Sequence, residues 1–363
     1  MSKHSGKNTV SSEPQSIGAP LSSATIFLVV SVSSDKTAFA KACDTLSGIA
    51  DLVKTVGFRD QDARLSCIVG LGSDFWQRLH PQARPKELKP FAAIKGAKHN
   101  APSTPGDVLF HIRASRLDLC FELERLLLQA LGDSVTVVDE VQGFRYFDAR
   151  DLLGFVDGTA NPVGPDIAHS ALVGDEDAQF RGGSYVVVQK YLHDMQAWAQ
   201  VPTPLQEEII GRTKIDNVEL DDDAAPRKSH KTLATIVDEQ GVEHDILRDN
   251  MPFGRAGQNE FGTYFIGYSR RLWVTEKMLQ RMFVGEPAGS PGQPHQHDGL
   301  SVVARRHRGA RHVRPPFATV ARGRLTVFLM PPSPFFPFFL RQSPGACPGS
   351  GCHGRGEARA VDE

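Results

Sequence analysis

The sequence predicts an α+β protein of two ferredoxin-like domains, antiparallel sheets with helices packed on them, and three observations carry that expectation. Over the first 150 residues, apolar runs appear in the order strand, helix, strand, strand, helix, strand. That order is the split β-α-β plan. Strand-like runs then recur beside helical stretches in the second half, which fits a duplicated unit although no sequence repeat is visible. With 363 residues, 40 % hydrophobic and 23 % charged, the chain is long enough for two domains of ordinary size.

The elements follow in order. The run TIFLVVSV at 25–32 reads as a buried strand, and 36–56 has apolar residues at helical spacing (Phe39, Ala42, Leu46, Ile49, Leu52, Val53, Val56) with Gly57 as a stop. Strands are predicted over 65–71 and 108–112, a helix over 117–131 closed by Gly132, and a strand over 135–138. In the second half, 184–190 reads as a strand, and 193–199 with 206–210 as helical material around Pro202 and Pro204. The stretch 261–268 is a strand with one aromatic face, and 275–284 a helix with Met278, Leu279, Met282 and Phe283 inward. The boundaries expected are a disordered tail over 1–22, one ferredoxin-like domain over 23–150, a second over 151–287, and a divergent, partly disordered tail over 288–363.

That last boundary rests on composition. After Gly289 the chain turns to Arg, Pro, Gly and His, with an arginine-rich run at 305–308 and PFFPFF at 334–339, which fits either a divergent tail or a shifted reading frame. Cys347, Cys352 and His353 lack a fourth ligand at proper spacing and make no zinc site. The acid run Asp221, Asp222 and Asp223 reads as a solvated turn, with a cation site as the lesser alternative.

Charge and cysteines narrow the function. Forty-one basic residues against 42 acidic leave a formal charge of -1, so no global field favours nucleic acid or an anionic membrane. The five cysteines are an odd number, and Cys43, Cys67 and Cys120 sit in apolar-periodic segments, as reduced thiols do. The polar start has no twin arginine, and the first apolar run is too short for a membrane helix, which together predict a cytoplasmic protein.

The chemistry centres on GFVDGTANP at 154–162, a carboxylate, Asp157, between two glycines. Taken alone, an Asp-Gly pair is a surface turn. Together with SHKTL at 229–233 and ILRDNMPFG at 246–254, and with the stretches 185–198, 209–223 and 261–268, it closely resembles the dye-decolourising peroxidases, specifically their bacterial cytoplasmic type B branch. The likeness covers 24–287 and is strongest from Gly154 onward.

The resemblance implies haem b (iron protoporphyrin IX) bound mainly in the second half, with His230 as the iron ligand. A neutral imidazole nitrogen would meet the metal while its other N–H bonds a carboxylate or carbonyl; Asp238, Glu243, Asp245 and whatever the family places after residue 287 compete for that role. On the opposite haem face the family pattern places Asp157, Arg248 and Asn250. Asp157 would shuttle the proton of peroxide between its oxygens, Arg248 would stabilise charge on the leaving oxygen, and Asn250 would orient water or peroxide.

Without that company, His230 is an ordinary surface or core histidine, Arg248 with Asp249 an exposed ion pair, and Asn250 a turn former. Phe265 could pack on the haem or be plain core, and Arg212 and Lys214 could meet a propionate or solvent. Trp198, Tyr191, Tyr264, Tyr268 and Trp273 could relay an oxidising equivalent outward. The implied activity is oxidation of organic electron donors, dyes and phenols, by hydrogen peroxide through an oxoferryl intermediate. The alternative is a haem-trafficking protein with incidental peroxidase activity. A homo-oligomer is expected from the resemblance, and no convincing encapsulin-docking peptide is recognisable in the tail.

Overall fold

The computed structural model describes residues 15, 17–96, 99–221, 228–285 and 324–329. Most of the 1–22 tail, Asp222 and Asp223, the runs at 305–308 and 334–339, and Cys347, Cys352 and His353 lie outside the described residues.

Strand β1 (Ala24–Val32) is buried along nearly its whole length, as the unbroken apolar run Ile26–Val30 requires, since consecutive apolar residues need cover on both faces. Ile26, Leu28 and Val30 enter a core shared with helices α1 (Lys36–Ser47), α2 (Ile49–Gly57) and α3 (Leu117–Leu131). Phe27 and Val29 enter a second core with Ile68, Val186, Tyr264 and Tyr268. The single helix expected over 36–56 is therefore two. Gly48 has no side chain to favour helical continuation, which costs about 1 kcal/mol relative to alanine; its N–H reaches Asp44 O and Thr45 O at 3.2 and 3.1 Å and ends α1 there. Helix α1 begins where Asp35 accepts from the N–H groups of Thr37 and Ala38 at 2.9 Å.

The remaining main strands are β2 (Ser66–Gly72), β3 (Val108–Ala114), β4 (Val135–Phe144), β5 (Ser184–Leu192), β6 (Leu247–Arg248), β7 (Met251–Arg255), β8 (Glu260–Ser269) and β9 (Arg324–Leu329). Among the described residues they form one antiparallel sheet in the order β6-β8-β5-β9-β2-β3-β1-β4, with β7 also on β8. Strand β9 joins the two halves: it pairs with β5 on one side and β2 on the other, and Thr326 through Leu329 are buried. Gly70 makes this docking possible, because a Cβ there would lie 2.2 Å from Val327 Cγ2. This strand falls inside the stretch 288–363 that composition assigns to a tail.

The sheet also brings its far ends together. A Cβ at Gly143 on β4 would stand 2.6 Å from Met251 Cβ on β7, so the glycine lets the two strands meet. That approach carries the segment after β6 against β3 and fixes one side of the cavity described next. Helices α4 (His230–Ala234) and α5 (Leu272–Val284) supply the other sides, α5 burying Met278, Leu279, Met282 and Phe283 as its spacing predicts.

Candidate active site

A cavity of about 260 Å³ lies between the 151–160 loop, α4, α5 and the strands β6 and β8. Asp157, Arg248, Asn250, His230, Phe265 and Arg212, all singled out from sequence, line it; Lys214 and Asp238 do not.

The loop carrying Asp157 is shaped by its glycines. Gly154 and Gly158 have φ of +94° and +84°, a region that costs other residues roughly 1–2 kcal/mol. Between them, Phe155 N–H donates to Asp151 Oδ1 at 2.9 Å and Asp157 N–H to Ala149 O at 3.0 Å. Asp151, not singled out from the sequence, thus pins the turn and also lines the cavity; burial, reinforced by the nearby Asp157, pushes its carboxyl up to about 7. Its signal was present in the spacing Asp151-x-x-Gly154, a β-turn closed by Gly154 N–H to Asp151 O at 3.1 Å.

Arg248 sits on the edge strand β6. Leu247 and Asp249 flank it toward β8, with Asp249 N–H donating to Ile266 O at 3.2 Å. The N–H and C=O of Arg248 itself face outward and are taken by Asn161, whose Oδ1 accepts from Arg248 N–H at 3.0 Å and whose Nδ2 donates to Arg248 O at 2.6 Å. Asn250 accepts from Ile266 N–H at 3.3 Å and reaches Asp157 Oδ1 with Nδ2 at 3.5 Å. Asp249 is no exposed partner of Arg248. It is buried and accepts from Arg113 Nη1 at 2.7 Å on β3, with His111 beside it. Burial, with the adjacent Arg113 cation, holds the His111 imidazole well below its ordinary range.

His230 is the first residue of α4, whose N-cap Ser229 accepts from Thr232 N–H at 3.3 Å. Its imidazole is pushed down to about 4 by burial and then by the Arg248 cation, against the opposing pull of Asp157, so the ring is neutral near pH 7. Its Nδ1 is buried with no hydrogen-bond partner among the described residues. Of the three carboxylates considered beside it, Asp238 binds His244 Nε2 at 2.8 Å and the N–H groups of Gln240 and Val242, whereas Glu243 and Asp245 line the cavity.

The cations and aromatics divide. Arg212 borders the cavity but directs its donors to Asn217 (2.7 and 2.8 Å) and Glu219 (3.1 Å). Lys214 gives Nζ to Gln206 Oε1 at 2.6 Å and lies over the Phe155 and Trp198 rings. Trp198 is buried, with Nε1 donating to Leu153 O at 2.9 Å, and Tyr264 and Tyr268 are fully buried. Tyr191 lines the cavity, and the half-buried Trp273 packs in the cluster of Ile246, Met278 and Phe265.

A neutral imidazole, a guanidinium and a carboxylate thus line one pocket together with the apolar side chains of Phe265, Ile246, Leu279 and Met282. Family models described as Dyp-type peroxidase, N-terminal and C-terminal, match residues 14–145 and 148–300. A dye-decolorizing peroxidase of Mycobacterium tuberculosis is 55 % identical over 277 residues, covering 76 % of this chain and 82 % of that protein. DyPB from Rhodococcus jostii RHA1 superposes with a TM-score of 0.79 at 52 % identity, over 91 % of this chain and 98 % of that one, and a variant of it is solved in complex with haem. The encapsulated DyP-type peroxidase of Mycobacterium smegmatis gives a TM-score of 0.79 at 45 % identity, over 93 % and 100 % of the two chains. The chain belongs to the dye-decolourising peroxidase family.

Proposed function

We propose that the cavity holds haem b with His230 as iron ligand and with Asp157, Arg248 and Asn250 on the other face, and that the protein oxidises organic electron donors such as dyes and phenols with hydrogen peroxide. The observation that carries the reading is the His230 ring, which is neutral and lines a cavity shared with Arg248 and Asp157. The apolar side chains of Phe265, Ile246, Leu279 and Met282 suit the faces of a porphyrin.

Haem, when bound, supplies the two-electron reduction of peroxide and the two single-electron oxidations of the donor. The chain's own residues do the rest. Asp157 takes a proton from one peroxide oxygen and returns it to the other. Arg248 stabilises negative charge on the departing oxygen. Asn250, fixed by Ile266 N–H at 3.3 Å, offers Nδ2 toward Asp157 and keeps the carboxylate aimed. Phe265 fills space against the cofactor, and Arg212, already engaged with Asn217 and Glu219, borders it without giving up those bonds.

The same reading extends to two domains over 23–150 and 151–287. It also extends to a cytoplasmic setting, supported by Cys67 and Cys120, which form no disulfide among the described residues, and to a homo-oligomer, supported by exposed apolar side chains such as Phe58, Phe147 and Ile215. The test is kinetic. Arg248→Ala should keep its haem and lose about 100- to 1,000-fold in the rate of reaction with peroxide, the cost of one transition-state donor. Equal rates in the two proteins would assign the cavity to haem binding or trafficking instead.

A further inference from the structure

Arg248 is presented by an edge strand. In an antiparallel pair, alternate residues turn their N–H and C=O toward the neighbouring strand, and the residues between turn theirs away. Arg248 is one of the latter: Asp249 N–H goes to Ile266 O on β8, while the main-chain groups of Arg248 point off the sheet. Such groups are ordinarily left to water or to another strand. Here one side chain takes both. The Asn161 carboxamide lies along the edge as a peptide group would, accepting from Arg248 N–H at 3.0 Å and donating to Arg248 O at 2.6 Å. Its Oδ1 also stands 3.5 Å from Arg248 Nε.

Asn161 is itself held in a turn whose N–H returns to Gly158 O at 3.1 Å, just after the glycine that follows Asp157. The clamp therefore ties the loop bearing the carboxylate to the strand bearing the guanidinium. The direct link between the two segments, from Asn250 Nδ2 to Asp157 Oδ1, is long at 3.5 Å. The two shorter bonds made by Asn161 are what fix the spacing.

We propose that Asn161 is a positioning residue for the peroxide reaction, holding the main chain of Arg248 so that its guanidinium enters the cavity at a set distance from Asp157. This rests on the assignment of Arg248 to the site. A displacement of about 1 Å in a catalytic group costs up to roughly 100-fold, which sets the scale of the effect. Asn161 touches no reacting atom and acts chiefly by placing the Arg248 guanidinium, so most of its influence should disappear when that side chain is removed.

The test is a cycle of haem-loaded native protein, Asn161→Ala, Arg248→Ala and the double variant. Two readouts are taken, the rate of the peroxide-induced absorption change and the affinity of the ferric form for fluoride, an anion that a placed guanidinium stabilises. Asn161→Ala should slow the reaction by about 10- to 100-fold when Arg248 is present and by a several-fold smaller factor when it is absent. Fluoride affinity should fall with the same dependence, while haem content stays native. Asn161→Asp, which keeps the oxygen facing Arg248 N–H, should retain more of both than Asn161→Ala, and it runs through the same cycle if the alanine variant does not fold. Equal factors in both backgrounds, or native values in Asn161→Ala, would overturn the proposal. An Arg248→Ala protein with native rate and fluoride affinity would overturn the Arg248 assignment itself, and this proposal with it, by a signature of its own.

Discussion

Two parts of the cavity lining are built in opposite ways. The segment carrying Arg248, Asp249 and Asn250 is tied at every residue: to Asn161 at 3.0 and 2.6 Å, to Arg113 at 2.7 Å, and to Ile266 at 3.2 and 3.3 Å. His230 stands at the start of a five-residue helix with a buried ring nitrogen that nothing among the described residues satisfies. A guanidinium and carboxylate that act on a transition state must be held before the substrate arrives, since reorganisation during the reaction would forfeit their effect. The contrast is between a segment held by the protein's own bonds and a ring nitrogen that none of them reaches among the described residues.

That contrast can be broken first at His230. His230→Ala should abolish stable haem uptake, yet the apoprotein should unfold within about 1 kcal/mol of the native apoprotein, because the substitution removes a buried group that has no bond to lose. A large loss of apoprotein stability on thermal melting would mean that the ring has a structural partner after all. Asp249→Ala should behave the other way. It removes the buried carboxylate that Arg113 holds, and the expected cost is about 3–5 kcal/mol in chemical denaturation, with haem or without. An unchanged midpoint would show the tied segment to be held by the main chain alone.

The smallest effects come from titration. Asp151 has a folded-state pKa raised to about 7, so the folded protein binds more protons than the unfolded chain between the ordinary carboxylate range and pH 7. Its contribution to stability is full at low pH and is lost as pH rises toward 7, at no more than about 1.4 kcal/mol per unit. Glu176, away from the cavity, is pulled down to about 2 by its hydrogen bonds to Arg270 at 2.7 and 2.5 Å. Its contribution is present above the ordinary carboxylate range and is lost as pH falls toward 2. Denaturation midpoints measured across pH should therefore lose slope above pH 4 in Asp151→Asn and below pH 4 in Glu176→Gln. The same profile in both variants would contradict the opposite signs.

Much of this was readable from residues. Strand β1 declared its two-sided burial through an unbroken apolar run, and α3 falls on 117–131 as its spacing and Gly132 predict. The loop bearing Asp157 announced its sharp bends through Gly154 and Gly158, both at positive φ. What escaped notice depends on partners far away in sequence. The pair Arg113 with Asp249 spans 136 residues, and the clamp of Asn161 on Arg248 spans 87, so neither leaves a local period. Strand β9 was hidden by composition, a short apolar run among Arg, Gly and Pro, and its place becomes evident only where Gly70 leaves room for Val327. Gly48 is the reverse case, a residue inside the apolar spacing of 36–56 at which the helix divides.

The central claim is that this cavity holds haem on His230 and uses it against peroxide. The most direct measurement is the absorption spectrum of the haem-loaded protein before and after one equivalent of hydrogen peroxide, for the native sequence and for His230→Ala. The account predicts a Soret band that shifts with peroxide in the native protein and is lost or altered in the variant. A native protein that takes up no haem, or a variant with the same band and the same response, would contradict it.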